Sequence, residues 1–246
     1  LASYDNKMGN IEEAVSQLKS IEASAPDIHK ANMQLVAIYA KNNKEAEAKS
    51  LIASWKKKHP KNAGPFIAEA GIATFNQQFV KAETLLKQAA KIDNSNISSL
   101  ALLANVQVKL KKTEEALKTL EAAVTKQPAN NTILGRYLSL SRLNESDKAA
   151  LSFLNKLSAS QPDIKILQLA IAELHARQGN MASALEITNK LSEGIDDSAK
   201  LQSAIETIYG IGVQAAVKNN DLTEALKLAK EARESQPNSL KLGLLL

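Results

Sequence analysis

Residues 96–128 read NISSLALLANVQVKLKKTEEALKTLEAAVTKQP, and this stretch decides the fold. Leu100, Leu103, Ala104 and Gln107 follow one another at helical offsets of three and four, so they share one face of a helix from Asn96 to Lys109. Lys111-Lys112 interrupts the pattern and makes a turn. A second helix, Thr113 to Lys126, carries Ala116, Leu120 and Ala123 on its own apolar face. Pro128 closes the segment, because proline has no N–H to donate and disfavours a helical residue before it. The unit is a helix, a short turn and a helix.

Working outward, the unit recurs. Pro26, Pro60, Pro128 and Pro162 fall on a period of 34 residues, with Asn94 in the turn-forming run Ile92-Asp93-Asn94-Ser95-Asn96 at the skipped position. Alanine marks the same phase independently at Ala14, Ala48, Ala82, Ala116, Ala150 and Ala184. A large apolar or small residue follows each alanine by four and by seven, as in Ile52/Trp55, Leu86/Ala89, Leu120/Ala123 and Leu154/Leu157. The last interval, Ala184 to Ala225, is 41 rather than 34. The seven extra residues fall between about Ile195 and Ala204. Seven residues are nearly two helical turns, so a helix lengthened by them keeps its face. This predicts one long helix from about Ser198 to Lys218, either bordering a partner site or present as a neutral insertion.

Composition agrees with closely packed helices. Of 246 residues, 38 are alanine and 33 leucine, and only 4% are aromatic. The 44% hydrophobic content is too high for a disordered chain. No apolar run approaches the roughly 18 residues of a membrane-spanning helix. Cysteine is absent, which excludes disulfides, thiolate metal sites and a cysteine nucleophile. The net charge of +5 is spread along the chain. Its one dense run, Lys56-Lys57-Lys58-His59-Pro60-Lys61, falls at an expected helix end, where cations complement the helix dipole.

Helix boundaries carry their own signals. Asn10-Ile11-Glu12-Glu13 and Asp221-Leu222-Thr223-Glu224 resemble capping boxes. Asn42-Asn43, Gly179-Asn180 and Asn219-Asn220 supply residues that tolerate the left-handed backbone ending a helix. Pro65 is placed in a first helical turn, where it is tolerated.

These residues resemble a tetratricopeptide-repeat (TPR) array. The family's 34-residue unit is matched by Leu35, Tyr39, Ala48, Ile52, Trp55 and Pro60, and by Leu100, Leu103, Ala104, Ala116, Leu120, Ala123 and Pro128. A third match is Tyr209, Ala225, Ala232 and Pro237. Asp5, Gln107, Ser141 and His175 stand where the family usually has tyrosine. The resemblance implies an all-α, right-handed superhelical solenoid. It divides the chain into a partial unit at 1–26, five 34-residue units over 27–196, a sixth complete unit at 197–237 with the seven-residue insertion, and the truncated start of a further repeat at 238–246. The chain is then expected to be a piece of a longer protein, with Leu240 to Leu246 packing on another chain or on more of the same one.

In such arrays the first helix of each unit lines a concave groove. The resemblance places Lys30, Met33, Ala37, Ile67, Gly71, Thr74, Asn105, Val108, Gly135, Ser139, Arg142, Leu169, Glu173 and Gln214 there. Asn105, Arg136 and Arg142 are the residues able to hold a carboxylate, too few for a clamp. The lining is small and largely neutral, which points to an apolar or neutral peptide or helix as partner. Gly64, Gly71, Gly135 and Gly210 either admit a ligand backbone or relieve crowding between helices.

No catalytic signature appears among glycine-rich phosphate loops, nucleophile elbows or zinc-binding helices. The carboxylates are scattered on expected exposed faces, with Glu114-Glu115 in a first turn. His29, His59 and His175 are read as lying in separate repeats with no metal pair between them, and His175 as a packing residue. Three Asn-x-Ser/Thr sequons, at Asn96, Asn130 and Asn144, coincide with turns. The expected function is a non-catalytic scaffold without cofactor, binding a protein or peptide, with self-association through terminal repeats as a further possibility. RNA binding is disfavoured, because the groove has neither a basic stripe nor stacked aromatics. A weaker resemblance links the chain to bacterial envelope TPR proteins, in particular the lipoproteins of exosortase (PEP-CTERM) and exopolysaccharide loci. That would make it an assembly module in the periplasm or anchored at the membrane, in preference to the cytoplasm.

Overall fold

A computed structural model describes residues 13, 15, 16, 18, 20, 28–192, 198–235 and 239. The expected partial unit at 1–26 lies largely outside the described residues. So do residues 193–197 of the insertion and the leucine-rich end at 240–246. Twelve helices and no strand occur among the described residues. They are α1 (Ile28–Lys41), α2 (Glu45–Lys58), α3 (Gly64–Phe75), α4 (Phe79–Ile92), α5 (Ile97–Lys109) and α6 (Thr113–Lys126). There follow α7 (Asn131–Leu143), α8 (Asp147–Ser160), α9 (Lys165–Arg177), α10 (Met181–Ser192), α11 (Ser198–Lys218) and α12 (Leu222–Ser235). The all-α array of helix-turn-helix repeats expected from the period is the fold observed. The chain forms two compact units, residues 1–123 and 124–246.

The recurring alanines are the contact points of this packing. Ala48, Ala82, Ala116, Ala150 and Ala184 are at most 1% exposed, and Ala225 is 7% exposed. A methyl group at that position lets the second helix of a pair lie close against the first, and anything larger would overpack the seam. The residues four and seven places on are buried too, from Ile52 and Trp55 through Thr188 and Leu191 to Ala229 and Ala232. In the first unit they join Leu35, Val36 and Tyr39 in one cluster, and Leu86 joins Leu103 and Val106 in another. In the second unit Ala184, Ile208, Tyr209, Val213, Leu228 and Ala229 pack together. First helices of successive repeats also touch within each unit: α1 packs on α3, and α9 packs on α11.

The period is written in the backbone as well. Left-handed residues occur at Asn43, Gln77, Lys111, Glu145, Gly179 and Asn220, with φ between +53° and +78°. Their spacing is 34 residues four times and then 41, the same as that of the alanines. At each, two hydrogen bonds close the end of the first helix. Around Lys111, the Lys112 N–H donates to the Gln107 carbonyl at 2.9 Å and the Lys111 N–H to the Val108 carbonyl at 3.0 Å. Lys44 to Tyr39, Gln78 to Ala73, Ser146 to Ser141, Asn180 to His175 and Asp221 to Ala216 repeat the longer bond. This is the Schellman arrangement, which satisfies the carbonyls left over at a helix C-terminus.

Some helix starts use short polar side chains. Asn96 Oδ1 accepts from the Ser99 N–H at 3.0 Å, Asn130 Oδ1 from the Ile133 N–H at 3.2 Å, and Asp221 Oδ1 from the Glu224 N–H at 2.9 Å. Two of the three sequon asparagines are therefore N-caps. Pro65 sits in the first turn of α3, and Lys56, Lys57 and Lys58 end α2, both as expected. Where the proline series skips, Asp93 Oδ1 accepts from the Ser95 N–H at 2.9 Å, and this local turn stops the chain from continuing as a helix. α11 spans Ser198–Lys218, 21 residues, as the 41-residue interval predicts.

One sequence expectation is corrected. His29 and His59 do not lie in separate repeats. They begin and end the same one, and the paired α1 and α2 bring their rings to 5.0 Å between centroids, edge to face. The buried Trp55 indole N–H donates to His29 Nδ1 at 3.0 Å, so that nitrogen is occupied. No group of three or more His, Cys, Asp or Glu residues able to hold a metal occurs among the described residues.

Candidate functional site

The first unit carries an apolar groove of about 440 Å³ between α1 and α3. Met33, Val36, Ala37 and Ala40 form one wall, Ile67, Ala68, Gly71, Ile72 and Phe75 the other, and Leu102 of α5 closes one end. Lys41 at the rim is the only charged residue lining it. Helical spacing builds the walls: residues three and four apart on α1 and α3 project to the same side. A Cβ built on Gly71 would meet nothing within 4 Å, so the glycine leaves open space facing the groove. Phe75, at the last position of α3, is 72% exposed.

Sequence reasoning thus brought Met33, Ala37, Ile67 and Gly71 to one place. It missed Phe75 and Leu102, whose signal was present: both are large apolar residues beyond the expected inward positions. Thr74 is turned to its own helix, its hydroxyl donating to the Ala70 carbonyl at 2.8 Å. Lys30, Asn105 and Val108 are exposed and do not line this groove.

Ion pairs tie the groove helix α3 to the preceding repeat and to its own partner helix. Glu69 on α3 meets Lys56 of α2 at 2.5 Å and Lys81 of α4 at 3.1 Å. Partial burial works against ionisation of Glu69, but the two lysines outweigh it and hold the carboxyl below its usual range. Lys56 also lies over the Phe66 ring, 4.5 Å from its centre.

The second unit holds a cavity of different character, about 610 Å³, at the carboxyl ends of α7, α9 and α11. Its floor is Arg177 of α9, whose side chain is 10% exposed. The guanidinium donates to the Leu138 carbonyl at 2.9 Å, approaches Asp147 Oδ1 at 3.4 Å and pairs with Glu173. Ser141, fully buried in place of the family's tyrosine, donates its hydroxyl to the same Asp147 oxygen at 2.8 Å. Arg142, Glu145, Lys148, Gln178, Ile211, Gln214, Ala215 and Lys218 complete the lining.

Of the expected site residues in this unit, Arg142 and Gln214 line the cavity and Glu173 orients its floor. Gly135, Arg136 and Ser139 lie exposed on α7, and Leu169 is half-buried on α9. The sequence singled out Arg142 as a carboxylate partner but overlooked Lys148, Arg177 and Lys218. These three stand outside the first-helix inward positions, and only the tertiary packing collects them.

Comparison with known proteins places this geometry. Residues 76–133 match the family model of the tetratricopeptide repeat. The C-terminal part of a TPR repeat-containing protein from Cytophaga hutchinsonii is similar in structure over 100% of this chain and 98% of its own, with 17% identity and a TM-score of 0.57. A tetratricopeptide repeat protein from Parabacteroides merdae is 16% identical over 100% of this chain and 94% of its own, with a TM-score of 0.46. YrrB, described as a TPR protein with an unusual peptide-binding site, is 17% identical over 78% of this chain and 96% of its own, with a TM-score of 0.44. No curated protein matches the sequence significantly. At such identities the likeness is one of fold. A 34-residue period in sequence and backbone, buried alanines in phase and the family match over residues 76–133 agree: the chain has the fold of a tetratricopeptide-repeat array.

Proposed function

We propose that this chain is a non-catalytic scaffold that holds an apolar or neutral peptide segment in the groove between α1 and α3. The observation that carries the reading is the lining itself: ten of its eleven residues are uncharged, and an open face at Gly71 lies beside an exposed Phe75. A monomeric surface seldom leaves an aromatic ring exposed next to a concave apolar wall without a partner for it. A groove of this size takes one turn of an amphipathic helix or a few extended residues, with apolar anchors at helical spacing. The alternating repeats supply rigidity, so binding costs little ordering of the scaffold. No helix among the described residues is long and apolar enough to cross a membrane. The envelope-assembly reading rests on sequence resemblance alone.

The test is selection of a displayed random-peptide library on the full chain. Enriched peptides should carry apolar residues at helical spacing, and Gly71→Leu or Ile67→Asp should weaken them at least tenfold. Peptides that bind these variants as well as the parent would remove the groove from the account.

A further inference from the structure

The cavity of the second unit has a chemistry the apolar groove does not explain. Arg142, Lys148, Arg177 and Lys218 face it together with only two acids, Glu145 and Asp147. Asp147 is already engaged by Arg177 and Ser141, and Arg177 by Asp147 and Glu173. Arg142, Lys148 and Lys218 make no ion pair or hydrogen bond among the described residues and are exposed. Three uncommitted cations and one uncommitted carboxylate, Glu145, thus surround a neutralised floor, leaving a net positive lining, with the Gln214 amide beside them and Ile211 and Ala215 as an apolar patch.

Placement of the cations decides the class of ligand. Arg142 is at the end of α7, Lys148 in the first turn of α8 and Lys218 at the end of α11. α9 packs between α7 and α11, touching both. With neighbouring helix axes about 8–10 Å apart, the two lips stand on the order of 16–20 Å apart. At that axis separation a carboxylate held at one lip leaves the cation of the other lip without a partner. An extended chain rising about 3.3 Å per residue spans that distance in about five or six residues. A mixed-charge lining with Glu145 present and no aromatic residue disfavours a densely charged, base-stacking polyanion.

We propose that this cavity docks an acidic peptide segment by its side-chain carboxylates, one held by Arg142 and Lys148 and a second by Lys218. Gln214 bonds the peptide backbone between them, and Ile211 and Ala215 receive its intervening apolar groups. The site is separate from the apolar groove, so each is lost without the other.

The probe is a fluorescein-labelled, C-terminally amidated peptide of about twelve residues with glutamates about six apart, followed by anisotropy on the full chain. Lys218→Glu and Arg142→Glu should each weaken it at least tenfold, while Lys57→Glu on the first unit and Gly71→Leu in the apolar groove leave it unchanged. Binding should also weaken as salt is raised, since the cations are exposed. The proposal is overturned if the peptide fails to bind or if Lys57→Glu weakens it equally. It is overturned too if binding requires a free C-terminus, or if a single-stranded RNA of similar length binds more tightly with loss in the same variants.

Discussion

The Thr119 hydroxyl on α6 donates to Gln107 Oε1 on α5 at 2.8 Å, joining the two helices of one repeat. Gln107 is 2% exposed and stands where the family places tyrosine. A buried amide left without a partner costs about 1–3 kcal/mol, more than the bond itself contributes. Thr119→Val should therefore destabilise the protein by about 1–2 kcal/mol despite preserving shape. Adding Gln107→Leu should recover most of that loss, because both ends of the bond are then apolar. Denaturant unfolding of the two single variants and the double variant measures the coupling, and additive losses would show that the bond is not what holds Gln107.

The left-handed turns lead to a second expectation. Gln77, Lys111 and Glu145 adopt φ values of +58°, +60° and +53°, a conformation that costs a side-chain-bearing residue about 1–2 kcal/mol. Glycine there removes the strain but enlarges the freedom of the unfolded chain, offsetting part of the gain. Lys111→Gly should stabilise by about 0.5–1 kcal/mol and Gly179→Ala should destabilise by about 1 kcal/mol. Thermal melts of the two variants, moving in opposite directions, check the assignment.

These turns also show what a reader of the sequence has to work with. Asn43, Gly179 and Asn220 announce a left-handed residue by their type. Gln77, Lys111 and Glu145 do not, and only their phase with the alanines gives them away. Period-bearing features are legible because every repeat restates them: the buried alanines, the helix limits near Asn96 and Lys126, and the lengthened α11. Sites are less so. The His29–His59 contact is hidden because the two residues are 30 apart, at opposite ends of one helix pair. The charged cavity is hidden because its cations come from three repeats and, Arg142 apart, from positions the groove rule leaves out.

The glycines separate into two kinds. A Cβ on Gly64 would lie 2.5 Å and 2.6 Å from carbons of the Trp55 ring and 2.7 Å from Asn62 Oδ1. Trp55 is 1% exposed and cannot retreat. Crowding therefore explains Gly64, and Gly64→Ala should cost about 1–3 kcal/mol through overpacking. Gly71, Gly135 and Gly210 face open space in helices, where alanine is the better helix former by about 0.8–1.0 kcal/mol. Gly135→Ala and Gly210→Ala should raise the melting temperature, and a fall in either would mean that an unseen contact fills that space.

Glu83 supplies the pH dependence of the first unit. Its side chain is 6% exposed, with Oε1 2.7 Å from Lys87 Nζ and Oε2 2.7 Å from Lys112 Nζ. Burial opposes ionisation, but the Lys112 and Lys87 ammonium groups outweigh it and hold the carboxyl below its usual range. In the unfolded chain the same group titrates near the ordinary value of about 4.3. Between the two values the unfolded state binds more protons, so stability rises with pH across that window. The contribution is complete above about pH 5 and disappears as pH falls through the lower folded value. At neutral pH, Glu83→Gln should cost about 1–2 kcal/mol, at the low end for a buried pair because both lysines are nearly half exposed. On acidification from about pH 5 to pH 3, the parent's melting temperature should fall more steeply than the variant's, and the two curves should converge. Parallel curves would mean that Glu83 does not couple protonation to folding.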